Sequence, residues 1–143
     1  MSLGAAMTDR LHIPLKVNKA YREARNARKK AYAPYSKFKV GAAVIGRKIF
    51  SGCNIENASF GATYCAERTA IVKAVSSGEK SFSDIVIVTN KASTPPCGLC
   101  LQSMAEFCRG DSRIWLGNEK KITRAYLLSE LLTHPFGPNQ LLK

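Results

Sequence analysis

Cys97 and Cys100 stand directly after Pro96 with two residues between them, and Cys65 lies upstream with Glu67 two places beyond it. On a helix, residues i and i+3 share a face, so the Cys97 and Cys100 sulfurs point the same way. Cys65 also falls at the start of a helical pattern. All three thiols then sit near the positive ends of helix dipoles, which favours the thiolate form. Three thiolates fill three corners of a tetrahedral zinc site. No fourth Cys or well-placed His completes the set, and an open corner suits water, the arrangement of a catalytic rather than a structural zinc. Water on such a metal loses its proton at a pKa of roughly 7. Glu67 is close enough to take that proton and pass it to a leaving nitrogen. Three thiolates donate enough charge to blunt the metal's acidity, and Arg68 is placed to offset this by hydrogen bonding to the ligand sulfurs.

Two blander readings compete. A C-x-x-C pair serves redox chemistry in thioredoxin-like proteins, but a redox pair needs no distant Cys-Ala-Glu. A purely structural zinc would call for a fourth ligand. Cys53 and Cys108 read as buried small hydrophobes. His12 and His134 read as surface residues, and Trp115 as strand packing.

Those side chains need elements to hold them. Val17, Ala20, Tyr21, Ala24, Ala27 and Ala31 recur at helical spacing, predicting a helix from Leu15 to Tyr32 that ends at Ala33-Pro34. Phe38 to Ile45 and Lys48 to Cys53 read as a tight hairpin joined at Gly46-Arg47. Cys53 to Tyr64 is a polar loop too elaborate for a mere connection. Cys65 to Ser77 is a helix with Gly78 at its C-cap. Ser83 to Thr89 is apolar at its centre, as a strand buried on both faces would be. Lys91 to Pro96 is a loop and Cys97 to Cys108 a helix. Arg113 to Leu116 and Lys121 to Leu127 are short strands, and any helix in the tail after Leu128 is short. The order α, β, β, α, β, α, β, β implies one sheet covered by helices.

The whole chain, residues 1–143, reads as one domain, long enough to bury about two-thirds of its unfolded surface. Met1 to Ala6 read as a cloning remnant, with Met7 as the natural start. No apolar run approaches the roughly 18 residues of a membrane span, and the N-terminus lacks the order of a secretory signal. Five cysteines, an odd number, do not form a disulfide framework in a reducing compartment. A cytoplasmic protein is expected. The formal net charge is +12, and residues 1–48 carry most of it. A phosphate-binding face is one reading. The charges fall opposite the apolar stripe, however, and no aromatics alternate with them as a stacking platform requires. They read as the solvated side of the first helix, and nucleic acid is not expected as a partner.

Cys65-Ala66-Glu67 followed by Pro96-Cys97-x-x-Cys100 resembles the zinc deaminase signature, with Cys in place of His as first ligand. More closely, the chain is similar from end to end to the small homotetrameric cytidine deaminases. The similarity is carried by AYAPYSKFKVGAA (31–43), GCNIENASFG (52–61), CAERTAI (65–71), PCGLCLQ (96–102), AEF (105–107) and HPFGP (134–138). GCNIENASFG narrows the superfamily to enzymes of free nucleosides.

The resemblance implies a three-layer α/β/α fold with a mixed five-stranded sheet. It also implies one zinc per subunit and deamination of cytidine and 2′-deoxycytidine in pyrimidine salvage. Asn54 and Glu56 would bind the ribose hydroxyls, Phe38 would pack on the pyrimidine, and the backbone at Ala66 and Cys97 would fix the base. Glu67 would protonate N3 and the departing amine. Ala58, Phe60 and Phe136 would reach substrate bound in a neighbouring subunit of a homotetramer with shared active sites. Leu101 departs from the pattern, standing where these enzymes usually carry arginine, and the hairpin at Gly46-Arg47 is shorter than usual.

Overall fold

The structure, a computed structural model, describes residues 11–142. The Met1–Ala6 segment and the proposed start at Met7 lie outside these residues. Helix α1 spans Leu15–Arg28, followed by the hairpin strands β1 (Gly41–Ile45) and β2 (Ile49–Cys53). Then come a 3-10 turn (Phe60–Ala62), helix α2 (Ala66–Ser76), strand β3 (Phe82–Val88) and helix α3 (Gly98–Phe107). Strands β4 (Cys108–Gly117) and β5 (Ile122–Leu127) and the single turn α4 (Leu128–Leu131) complete the regular structure, with a last 3-10 turn at Pro138–Gln140.

The sheet order is β2-β1-β3-β4-β5, with β3 and β4 parallel and the other neighbours antiparallel. Side chains alternate across a strand, so each strand feeds two cores. Ala43, Ile45, Val86, Val88 and Trp115 meet α1 on one face. Ala42, Val44, Ile85, Ile87, Ile114 and Leu116 pack on the other with α2, α3 and Leu128 of α4. The result is the expected three-layer α/β/α architecture. Strand β3 lies in the middle, covered on both faces, which explains its continuous apolar run.

Two glycines set how closely the helices approach. A Cβ on Gly41 would lie 1.9 Å from the Ala24 carbonyl oxygen of α1. A Cβ on Gly52 would lie 2.7 Å from the Ala70 backbone nitrogen of α2. Helix α2, whose N-terminus carries Cys65 and Glu67, is therefore seated directly on β2. At the far end Gly78 takes φ 96 and ends it, as its C-cap position predicted.

Several boundaries differ from the sequence pattern. Helix α1 stops at Arg28 and not Tyr32, because Tyr32 N donates to Asn54 O (3.0 Å) and Glu56 N donates to Tyr32 O (2.8 Å). That bridge takes the backbone groups a further helical turn would use. Strand β1 begins at Gly41 and not Phe38, since Phe38 to Val40 are held by the Asn54 side chain instead. Strand β4 runs from Cys108, not Arg113. Its early residues are largely exposed and pair irregularly with β3, so they carry no apolar alternation.

Trp115 is strand packing as expected, and its indole N–H also donates to Asp84 Oδ1 at 2.9 Å. His12 and His134 are exposed. Cys53 and Cys108 are half-buried and not fully enclosed, and burial pushes the Cys108 thiol up to about 12. Much of the basic side of α1 faces away from the sheet, but Lys16 pairs with Asp84 of β3 at 3.0 Å and Arg28 turns to pair with Glu119. No helix among the described residues is long and apolar enough to cross a membrane.

Candidate active site

Helices α2 and α3 lie on the same face of the sheet, and a cysteine stands at the N-cap of each. Cys65 caps α2 and Cys97 caps α3, and neither sulfur is spent on capping its own helix. Cys65 Sγ lies 3.9 Å from Cys97 Sγ, and Cys97 Sγ lies 3.4 Å from Cys100 Sγ. All three sulfurs fall within 4.8 Å of one another. Zinc–sulfur bonds of about 2.3 Å in a tetrahedron put the sulfurs about 3.8 Å apart, so this donor set fits one zinc ion. Cys100 is buried behind the other two, while Cys65 and Cys97 line a cavity. A metal held by these sulfurs would border that cavity.

The protons are arranged unequally. The neighbouring Cys100 thiol, with the Arg68 guanidinium and Cys97, brings the Cys65 thiol down to about 5. Cys100 is pushed up by the neighbouring Cys65 thiol and by its burial. Thiolate ligation of a metal requires the cysteines to give up their protons. Arg68 Nη2 lies 3.9 Å from Cys65 Sγ and donates to Thr63 O at 3.2 Å, with the guanidinium 5.1 Å above the Tyr64 ring. It is seated where a cation offsets thiolate charge.

Glu67 is the second residue of α2 and lines the cavity with only 6% of its surface exposed. Burial raises its carboxyl to about 7. At neutral pH such a group can both hold and release a proton, as general acid–base catalysis requires.

The cavity has a volume of about 290 Å³, at the lower edge of the roughly 300–1,000 Å³ of small-molecule sites. Phe38, Asn54, Glu56, Cys65, Ala66, Glu67 and Cys97 all reach it. Asn54 is clamped to its surroundings: its Nδ2 donates to Phe38 O at 2.7 Å and its Oδ1 accepts from Val40 N at 2.8 Å. Glu56 accepts from the backbone N–H of Tyr35 and Ser36 and from the Ser36 hydroxyl. That hydroxyl, above all, holds its carboxyl below the usual range.

Ala58, Phe60 and Phe136 do not line this cavity. Ala58 is exposed, and Phe60 borders an adjoining depression with Tyr35, Glu56 and Thr63. Phe136 is exposed, but its backbone is fastened to α3: Gln102 Nε2 donates to Phe136 O at 2.7 Å and Phe136 N donates to Gln102 Oε1 at 3.3 Å. Leu101 is buried and packs in the core shared by α2 and α3. Ser36 and Thr63 line the cavity and Gln102 holds Phe136, and the sequence pattern singled out none of the three. Each is a polar residue with no spacing rule to mark it, recognisable only from its partners.

Residues 15–117 match the family model of the cytidine and deoxycytidylate deaminase zinc-binding region. The chain belongs to this deaminase family. It is 47% identical over 118 residues to a cytidine deaminase of Halalkalibacterium halodurans, covering 80% of this chain and 89% of that one. It is 43% identical over 128 residues to a cytidine deaminase of Sporosarcina psychrophila, covering 87% and 94%. The crystal structure of cytidine deaminase from Burkholderia pseudomallei superposes with a TM-score of 0.79 at 40% identity, covering 83% of this chain and 98% of that one. As a member of the deaminase family, the chain carries a zinc-binding region, and three sulfurs at tetrahedral spacing hold one ion per subunit.

Proposed function

We infer that the chain is a zinc-dependent cytidine deaminase, hydrolysing cytidine and 2′-deoxycytidine to uridine and 2′-deoxyuridine with release of ammonia. One observation carries this reading. A three-thiolate metal site and a buried glutamate share a small cavity with an aromatic ring, an amide and a carboxylate suited to a nucleoside. Family membership and relatives of up to 47% identity support it.

Zinc held by Cys65, Cys97 and Cys100 supplies a Lewis acid that makes water acidic near neutral pH. Glu67 takes one proton of the attacking water and places it on N3 of the pyrimidine, then takes the remaining proton of the oxygen added at C4 and delivers it to the 4-amino group. A C4–O bond forms, the C4–N bond breaks, and the nitrogen leaves as ammonia. Arg68, beside Cys65, balances thiolate charge. Phe38 packs on the pyrimidine, the backbone at Ala66 and Cys97 orients the base, and Asn54 and Glu56 hold the sugar.

A free base lacks the sugar that the Asn54 and Glu56 wall is suited to bind, and the relatives that the chain resembles are cytidine deaminases. Both features favour a nucleoside. The exposed rings of Tyr35, Phe60, Tyr64 and Phe136 support a homotetramer in which neighbouring chains cover each site, with Ala58, Phe60 and Phe136 reaching substrate in another subunit. The enzyme is assigned to pyrimidine salvage in the cytoplasm. A substrate panel on zinc-loaded protein tests the reading. Cytidine and 2′-deoxycytidine are expected to turn over, and cytosine and single-stranded RNA to be left intact. Faster turnover of cytosine or RNA than of either nucleoside would overturn it.

A further inference from the structure

The Ser36 hydroxyl touches two residues of the cavity wall at once. Its Oγ lies 2.6 Å from Glu56 Oε2 and 3.0 Å from the Phe38 backbone nitrogen. A carboxylate can only accept and a peptide N–H can only donate, so the Ser36 proton points to Glu56 and a lone pair faces Phe38. The other Glu56 oxygen is occupied, with Oε1 accepting from the backbone N–H of Tyr35 at 3.0 Å and of Ser36 at 3.1 Å. Each carboxylate oxygen offers about two acceptor sites. Oε1 is filled, and Ser36 takes one site of Oε2, which leaves one.

The local backbone is shaped for this arrangement. Lys37, between Ser36 and Phe38, adopts φ 58, a left-handed conformation uncommon outside glycine. Its N–H donates to Ala33 O at 3.1 Å, closing a turn that brings Phe38 N back onto Ser36 Oγ. On the far side the Phe38 carbonyl accepts from Asn54 Nδ2 at 2.7 Å. The Phe38 residue is thus held by Ser36 at one end and by Asn54 at the other. Strain of this kind persists where surrounding contacts over-determine it, as at binding sites.

We propose that Ser36 is a positioning residue for the sugar of the substrate: its hydroxyl fixes Glu56 so that one acceptor site on Oε2 receives one sugar hydroxyl. The same contact holds Phe38 in register with that carboxylate. The proposal rests on the reading of Glu56 as a sugar contact. Its chemical consequence is specific. Glu56 accepts a single hydroxyl, so the effect of Ser36 belongs to substrates that carry that hydroxyl.

The test compares kcat/KM of zinc-loaded wild type, S36A, S36T and E56Q on cytidine and its 2′-deoxy, 3′-deoxy and 2′,3′-dideoxy analogues. S36A is expected to lose about tenfold more, chiefly through KM, on substrates that carry the hydroxyl than on those that lack it. S36T keeps the hydroxyl and is expected to restore most of the loss. Should S36A fail to fold, S36C, with a weak donor of similar size, takes its place. An equal loss on all four substrates, or no loss, overturns the proposal. If E56Q shows the hydroxyl-specific pattern and S36A does not, only the role of Ser36 falls. If E56Q itself acts equally on all four, the sugar reading of Glu56 falls and the proposal falls with it.

Discussion

Cys65 Sγ and Cys97 Sγ lie 3.9 Å apart although each residue caps a different helix. The two helix N-termini converge on one point, so assembly of the zinc site depends on both helices docking against the sheet. The same docking brings Glu67 to the cavity. Metal binding and tertiary packing are coupled, and a ligand that binds only the native state adds to its stability.

Cys97→Ala leaves two thiolates for a site that needs three. It is expected to abolish stoichiometric zinc in metal analysis of purified protein and to lower the melting temperature relative to zinc-loaded wild type. Retention of one zinc per chain would show that Cys97 is not a ligand.

Glu67→Gln keeps the size of the side chain and removes its proton chemistry. The variant is expected to retain zinc while kcat for cytidine falls by about 10²–10⁴. Steady-state kinetics with parallel zinc analysis checks this, and wild-type turnover by the variant contradicts the role given to Glu67.

The buried Glu67 carboxyl also predicts a pH dependence of the metal-free protein. Its folded value of about 7 lies above the ordinary 4.5. A raised carboxyl favours the folded state fully below pH 4.5, and that contribution is lost as pH rises through about 7. The loss amounts to about 3 kcal/mol. Cys65 works in the opposite sense, because its value is depressed to about 5 from 9.0. Its contribution is present above pH 9.0 and is lost as pH falls through about 5. Denaturant melts in chelator at pH 5 and pH 8 are expected to show wild type losing stability relative to Glu67→Gln as pH rises. An unchanged difference would contradict the burial argument.

Much of the site was legible because its signals are local. The C-x-x-C at Cys97 and Cys100 and the Cys65-Ala66-Glu67 run each lie within one helical turn, where spacing fixes direction. The buried strand Phe82–Val88 was legible for a similar reason, since an apolar run covered on both faces needs no partner to be recognised. The remainder depends on contacts distant in sequence. Nothing near Tyr32 signals that its backbone will pair with Asn54 and Glu56 and end the helical pattern early. Nothing near Ser36 signals that its hydroxyl will meet Glu56. Strand β4 began before its apolar alternation did, so its first residues could not be read as strand.

Gln102 ties the C-terminal segment to the metal-bearing helix α3 through two hydrogen bonds to Phe136. Gln102→Ala removes both and is expected to raise amide hydrogen exchange at Phe136 by about tenfold, with little change in the exchange of β3. Unaltered exchange at Phe136 would mean that other contacts hold the segment.

Hydrolytic deamination by this chain depends on the three-thiolate site. It is tested most directly by ammonia release from cytidine with zinc-loaded protein and with the same sample stripped by chelator. One ammonia is expected for each cytidine lost and one uridine gained, with no turnover after stripping and its return when zinc is restored. Zinc-loaded protein that leaves cytidine unchanged, or stripped protein that remains fully active, would contradict it.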